Sequence, residues 1–451
     1  MKKMILFISV VCSFIIISTG CKKFLDERPK NSLRIPTTLA DLQALMDNYS
    51  IINYQDMASS EMVAGDFYLT DADWKSRPEV ERRLYLWEKD NVFTTSANDW
   101  ITAYSIIYRA NTVIEGMNKI NKTDSNSEIW NNTAGQGYYT RAKYLLQLIY
   151  CFALAYDEEA DAPGIPLRLS TDFNETSVRS GVNKSYMQIV DDLKKAIMFL
   201  PVTQIHVMRP SKPAAYGLLA RTYLSMRKYE LAGLYADSCL QLKADLLDYN
   251  DLDLKLTNPF ITYHKETLAY SYFFNPGSLS NIRAKINPDI INSYAAGDLR
   301  KTVFYKDNGN GSFAQRGSYS GVTNPFGGIA TDEIYLIRAE CYARAGKVSE
   351  AMKDLNTLML KRWDKKLVYP IYVAATKEEA VNLILKERRK ELVLRGLRWM
   401  DIKRLNKEGR NISLNRTING ETYRLEANST RFANPIPDNI ITVSGMEQNK
   451  Y

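Results

Sequence analysis

Two stretches of the chain, 119 residues apart, place the same kinds of side chain at the same offsets. In the first, Tyr216, Leu219, Ala220 and Tyr223 lead to Ala232, Ala236 and Cys239. In the second, Tyr335, Arg338, Ala339 and Tyr342 lead to Ala351, Leu355 and Leu358. Steps of three and four residues keep these positions on one face of a helix. The alanines let two antiparallel helices approach closely, and the neighbouring rings fill the grooves beside them. The spacing predicts helices over 212–226 and 229–242, turning at Arg227-Lys228, and over 331–345 and 348–363, turning at Gly346-Lys347. Gly346 suits the left-handed residue that closes a helix. Such pairs cannot bury their apolar faces alone, so the chain is committed to stacking them.

The shared offsets are those of a 34-residue tetratricopeptide repeat, and 119 is not a multiple of 34, so insertions must separate the pairs. Further helices are expected over 98–120, 137–156, 185–200 (ended by Pro201) and 377–395 (ended by Gly396). Tyr138, Arg141 and Ala142 repeat the start seen at Tyr335. The expected fold class is mostly α, an irregular tetratricopeptide-repeat helical scaffold with long loop and short-strand insertions. The insertions are rich in rings and small polar residues. Ser50–Phe93 holds Phe67, Tyr68, Trp74, Tyr85 and Trp87. Asp245–Asn287 holds Phe260, Tyr263, Tyr270, Tyr272, Phe273 and Phe274 with strand-like alternation, and Lys306–Gly328 is Gly-rich.

The start of the chain bears on compartment. Lys2 and Lys3 precede an apolar run from Met4 to Ile17, then Ser18-Thr19-Gly20-Cys21. This reads as a secretory signal, too short to remain as a spanning helix, which needs ~20 apolar residues. The cysteine after Thr19-Gly20 resembles a lipobox, in which that residue is acylated, so Cys21 is the expected lipid-attachment site. The organisation read from the sequence is a signal peptide over 1–20, an N-terminal region over 21–210 and a C-terminal region over 211–451.

Composition excludes several chemistries. Hydrophobic residues at 45% with 24% charged residues suit a folded domain rather than a disordered one. The net charge of +8 falls to +6 without Lys2 and Lys3 and is thinly spread, which argues against a nucleic-acid partner. Cys151, Cys239 and Cys341 lie far apart in helical patterns and read as buried apolar residues, not a disulfide framework. His206 and His264, the two histidines, sit in no zinc-binding context and beside no Gly-x-Ser-x-Gly elbow. No metal or cofactor is expected. The acidic loop Asp157–Asp161 fits no EF-hand and reads as solvated. The charged run Glu387–Arg410 reads as structural ion pairing, with Glu391–Arg395, Glu387–Lys390 and Arg398–Asp401 as pairs, against the helix carrying Arg338 and Glu340.

A sugar site needs an exposed ring for the pyranose and amides or charges for its hydroxyls. Tyr68 and Trp74 form one candidate, Tyr272, Phe273 and Asn275 a second. Two function classes stay open on these residues: a non-catalytic binding lipoprotein and a lipid-anchored glycosidase, which needs two carboxylates across a cleft.

Several segments together resemble the SusD/RagB family. They are Cys21-Lys22-Lys23-Phe24-Leu25-Asp26-Glu27-Arg28-Pro29, Trp100 with Tyr104 and Arg109-Ala110-Asn111, and Pro163-Gly164-Ile165-Pro166-Leu167. Asp192-Leu193, Glu333 to Glu340, Glu387 to Leu392, Arg395 to Arg404 and Asn434-Pro435-Ile436-Pro437 continue the likeness to the end of the chain. The resemblance implies a helical lipoprotein on the outer face of an outer membrane. It would capture an oligosaccharide, or in some branches a peptide, and pass it to a SusC-like TonB-dependent transporter. It further implies that the repeats meet the transporter and the insertions meet the ligand.

Overall fold

Asn98 closes an extended stretch, and its side chain accepts the Ile101 N–H at 2.9 Å, which starts the first long helix. The structure, a computed structural model, describes residues 36–451. The expected signal peptide and Cys21 lie outside the described residues. The long helices are α1 (Leu39–Met46), α2 (Asp99–Asn118), α3 (Ser127–Phe152), α4 (Val182–Phe199) and α5 (Lys212–Ser225). They continue with α6 (Tyr229–Leu242), α7 (Thr331–Arg344), α8 (Val348–Leu360), α9 (Lys377–Glu391) and α10 (Arg398–Asn406). From α2 to α8 each helix packs against the next, α9 lies on α7 and α8, and α1 lies across α2 and α3. The small residues sit at the crossings: Ala220, Ala232, Ala339 and Ala351 are fully buried. The turn between α7 and α8 uses Gly346 at φ +77°, while the matching turn between α5 and α6 holds Arg227 at φ +61°.

Two helices differ from expectation. α3 begins ten residues before 137, within a polar stretch that has no apolar period of its own. Tertiary contacts hold it instead. Gln136 and Thr133 bond Gln43 of α1, and Gly135 is packed under Leu200, where a Cβ would lie 2.8 Å from the Leu200 side chain. α9 ends at Glu391 rather than Arg395. A left-handed Leu394 (φ +56°) and Gly396 (φ +73°) turn the chain into α10, and the Gly396 N–H donates to Glu61 at 2.8 Å.

The 88 residues from 243 to 330 leave the helical stack between α6 and α7, which nonetheless pack directly on each other. The insertion is closed at its base by an antiparallel ribbon pairing Thr267–Ala269 with Ile329–Ala330. Among the described residues the sheets are two-stranded ribbons of this kind. A second ribbon pairs Phe67–Tyr68 with Lys285–Ile286, joining the two aromatic insertions. These segments build a second core around Tyr85, Trp87, Phe326 and Trp399, separate from the core of the helices. Cys151, Cys239 and Cys341 are free and buried, as their patterns predict.

Buried ion pairs join the two cores. Arg362, fully enclosed, donates to Glu391 of α9 at 2.8 Å and to Glu266 of the insertion at 3.0 Å, and lies 4.1 Å over the Tyr249 ring. Arg300 binds Asp298 at 2.6 Å, Glu391 at 3.1 Å and also Glu387. Lys390 bridges Asp298 and Glu387, each at 3.1 Å. Of the expected pairs along 387–410, Glu387–Lys390 forms. Glu391 turns instead to Arg300 and Arg362, and Arg395 to Asp332 at 3.1 Å. Asp401 takes Arg388 and Arg404 rather than Arg398, which faces Asp66 at 3.7 Å. The segment does pair with the helix carrying Glu340, through Arg404 at 2.6 Å; Arg338 pairs elsewhere, with Asp354 and Asp237. The acidic loop is salt-bridged, Asp157 to Lys407 and Glu158 to Lys228.

Removing one partner of a buried pair strands the other charge, at a cost of ~3–5 kcal/mol. Arg362→Met, which leaves Glu266 without its cation and Glu391 with Arg300 alone, should therefore lower the denaturation midpoint severely. Arg424→Met, which breaks an exposed pair with Glu426, should cost under ~1 kcal/mol.

Glu61 is fully buried, and burial reinforced by the nearby Asp66 charge raises its carboxyl to about 8. The folded state therefore holds a proton there that the unfolded chain releases near pH 4.3. Its contribution is full below that value and is lost as pH rises toward 8. Chemical denaturation at pH 5 and pH 8 should show the parent chain losing a few kcal/mol more than Glu61→Gln.

Candidate ligand-binding face

Three segments distant in sequence are fastened together at one edge of the insertion layer. The side-chain amide of Asn53, just after the short helix Tyr49–Ile52, donates to the carbonyls of Met208 at 3.0 Å and Tyr270 at 2.7 Å. The Tyr272 N–H returns to the Asn53 carbonyl at 2.9 Å, and the Tyr270 N–H reaches that of Val207 at 2.8 Å. Beneath them Asp56, fully buried, accepts from Lys143 of α3 at 2.6 Å, Ser271 at 2.5 Å and Tyr144 at 3.2 Å. Burial pulls the Lys143 ammonium down, and Asp56 opposes that pull. The helical stack thus supplies a rigid base, and the insertion lies on it.

What these segments present is a group of tyrosines. Tyr54 and Tyr272 stack with centroids 4.3 Å apart and planes 17° apart. Tyr270, buried below, meets both edge-on at 6.4 and 6.1 Å. Tyr49 sets an edge against Tyr54 at 5.5 Å and is half exposed. Tyr263, held at φ +63°, packs on Tyr270 at 4.7 Å and meets His206 at 4.4 Å. Burial, then hydrogen bonding to Tyr263, raises the Tyr54 hydroxyl above its ordinary value, so it stays a neutral donor and acceptor.

A cleft of about 330 Å³ is lined by residues that continue the same two segments: Gln55 follows Tyr54, and Phe274 and Pro276 follow Tyr272. Phe274 is 63% exposed. Two carboxylates line the cleft, and both are engaged. Asp99 accepts the Ser59 N–H at 2.8 Å and its hydroxyl at 2.5 Å, while Glu81 accepts the Ser278 N–H at 2.9 Å and its hydroxyl at 2.5 Å. Burial raises the Asp99 carboxyl, against the pull of the Ser59 donors. A larger hollow of about 530 Å³ opens on the helical side between α2, the loop at Arg168–Phe173 and Ile440–Met446. Its walls mix rings and apolar side chains with serines, Thr171 and Asp172, and Tyr104 and Asn111 donate to backbone carbonyls of the wall.

Of the residues proposed from sequence, Tyr272 belongs to the stacked pair. Asn275 stands between the cleft residues Phe274 and Pro276, with its Oδ1 unpartnered. Phe273 points inward at 3% exposure, against Gly396, where a Cβ would lie 2.5 Å from the ring; a buried ring offers no face to a ligand. Tyr68 is half-buried in the ribbon with Lys285. Trp74 is half-buried too; it donates to the Arg82 carbonyl at 3.2 Å and is overlaid by the Arg82 guanidinium at 5.2 Å. Tyr68 and Trp74 thus stand on the 67–75 segment and take no part in the tyrosine group. Sequence reasoning passed over Tyr49, Tyr54 and Gln55 as site residues. Tyr49 and Tyr54 bracket the short helix Tyr49–Ile52 and its closing Asn53, and that placement is the available signal.

Asn53 is the point at which the three segments meet. Asn53→Ala removes two hydrogen bonds, the one to Tyr270 fully buried, and should cost ~1–3 kcal/mol. Near-ultraviolet circular dichroism should lose tyrosine signal, with the far-ultraviolet helical spectrum unchanged.

Comparison with known proteins places this architecture. Residues 23–224 match the family described as starch-binding, associating with the outer membrane, and residues 258–451 match the SusD family. The chain is 25% identical to the SusD-like protein P2 of Formosa agariphila, over 86% of this chain and 88% of that one. A SusD superfamily structure from Bacteroides thetaiotaomicron superposes with a TM-score of 0.73 at 22% identity, covering 92% of this chain and all of the other. A SusD-like carbohydrate-binding protein from Bacteroides vulgatus superposes with a TM-score of 0.68 at 19% identity, covering 90% and 97%.

Proposed function

The chain belongs to the SusD/RagB family, and on that premise we propose that it is a non-catalytic surface lipoprotein that captures an oligosaccharide nutrient. In this reading Cys21 carries the lipid and holds the protein at the outer membrane, facing the exterior. A SusC-like TonB-dependent transporter is the partner that receives the ligand. The observation that carries the reading is the tyrosine group, whose segments continue into the cleft. A stacked pair on a pedestal of further rings offers a flat apolar surface with hydroxyls at its rim, which suits the faces and edges of a pyranose.

Two further features support it. The group is tied to α3 through Asp56 and Lys143, so the surface is formed before ligand arrives. In the cleft, each carboxylate already accepts two hydrogen bonds from a serine, which favours binding over glycosidic cleavage. The carbohydrate-binding relative from Bacteroides vulgatus points the same way.

Isothermal titration of the full chain in detergent, against a panel of oligosaccharides and a mixed peptide pool, tests the proposal. Heat should appear with one glycan class, and the glycan should be recovered uncut. The Tyr54→Ala, Tyr272→Ala double variant should weaken that binding at least tenfold (about 1.4 kcal/mol) without lowering helical content. Heat from peptides alone would move the protein to a peptide-capturing role. Cleavage of the glycan would make it an enzyme.

A further inference from the structure

Charge around the tyrosine group is arranged in a way that bears on ligand class. Arg209, from the loop that meets the platform, forks onto Asp47 with two bonds of 2.7 Å. Lys143, beneath it, is held by Asp56. On the segment that flanks the cleft, Arg82 covers Trp74, and Arg77 lies against Gly277 while donating to the Ser76 carbonyl. Sixteen residues line the cleft, and Glu81 and Asp99 are the charged ones among them; none is Lys, Arg or His. His206 stands edge-on to Tyr263 at the platform's border.

Recognising a carboxylate, sulfate or phosphate on a sugar calls for a free guanidinium, an ammonium or converging N–H donors. Here Arg209 and Lys143 are held by carboxylates, Arg77 and Arg82 stand outside the cleft lining, and the cleft itself carries carboxylates alone. A like charge brought beside a carboxylate is repelled, and desolvating it without a partner is costly. Neutral hydroxyls fare differently. The serine-held carboxylates keep acceptor capacity, Gln55 and Asn98 add donors and acceptors along the same wall, and Thr94, whose hydroxyl already donates to the Ala97 carbonyl, adds an acceptor.

We propose that the ligand of this face is an uncharged oligosaccharide, and that uronate, sulfated or phosphorylated chains are excluded by the carboxylate-lined cleft. The inference rests on the glycan-capturing reading above and narrows it. Association with such a ligand does not depend on ionic strength, because no charge pair forms across the contact.

The test uses the full chain in detergent on an array of neutral gluco-, xylo- and manno-oligosaccharides beside oligogalacturonate, alginate and chondroitin sulfate oligomers. Hits are then titrated at 50 and 500 mM NaCl. A neutral oligomer should bind, each acidic oligomer should bind at least tenfold more weakly, and the neutral affinity should change less than twofold with salt. Glu81→Gln should narrow the gap between neutral and acidic chains. An acidic oligomer bound as tightly as any neutral one, losing affinity in salt and losing it again in the Tyr54→Ala, Tyr272→Ala variant, would overturn the exclusion and leave the glycan platform standing. Silence from every saccharide on the array would instead overturn the glycan reading itself, and the exclusion with it.

Discussion

The aromatic layer of this molecule is joined to the helical stack by a buried set of guanidinium–carboxylate contacts between two cores. Arg362 and Arg300 reach from the insertion and its neighbourhood to Glu391 and Glu387 on α9, and Glu266 meets Arg362 from the insertion itself. Apolar packing is tolerant of sliding, since one methyl group resembles another. A forked guanidinium on a fixed carboxylate is not. The ions therefore do something the two cores alone cannot: they set the register between the helical stack and the aromatic layer.

The same logic runs through the helices. Arg141 of α3 binds Asp192 of α4 at 2.6 Å, Arg221 of α5 binds Glu333 of α7 at 2.6 Å, and Arg404 of α10 binds Glu340 of α7. These residues lie in or beside the segments whose likeness to the family is plainest in the sequence. The likeness is thus largely one of framework. The tyrosine group stands outside those segments.

This division explains what could be read from the sequence. The helix pairs around Arg227 and Gly346 were legible because their contacts are local and periodic. The first ten residues of α3 were not, because Gln136 and Gly135 become helical through Gln43 and Leu200, far away in the chain. The aromatic insertions were visible as such, yet composition cannot separate a ring that builds a core from one that meets solvent. Phe273 and Tyr272 are adjacent and face opposite ways, one against Gly396 and the other onto Tyr54. Tyr54 became part of the site through Asn53, an amide whose reach to Met208 and Tyr270 no local pattern announces. The ion pairs were foreseen as a class. Glu387–Lys390 formed as the spacing implied, whereas burial let Glu391 choose partners across the fold rather than along the helix.

The direct packing of α6 on α7 across 88 intervening residues has a consequence for how such chains change over time. Closing a flexible loop of that length instead of a four-residue turn costs only about 3 kcal/mol, because the penalty grows with the logarithm of length. A scaffold of this kind can lengthen, shorten or replace the part of the excursion beyond Ala269 at modest expense, provided Thr267–Ala269 stays paired with Ile329–Ala330. The stack behaves as a socket and the excursion as an exchangeable fitting, so the surface it carries can be rewritten while the supporting helices stay as they are.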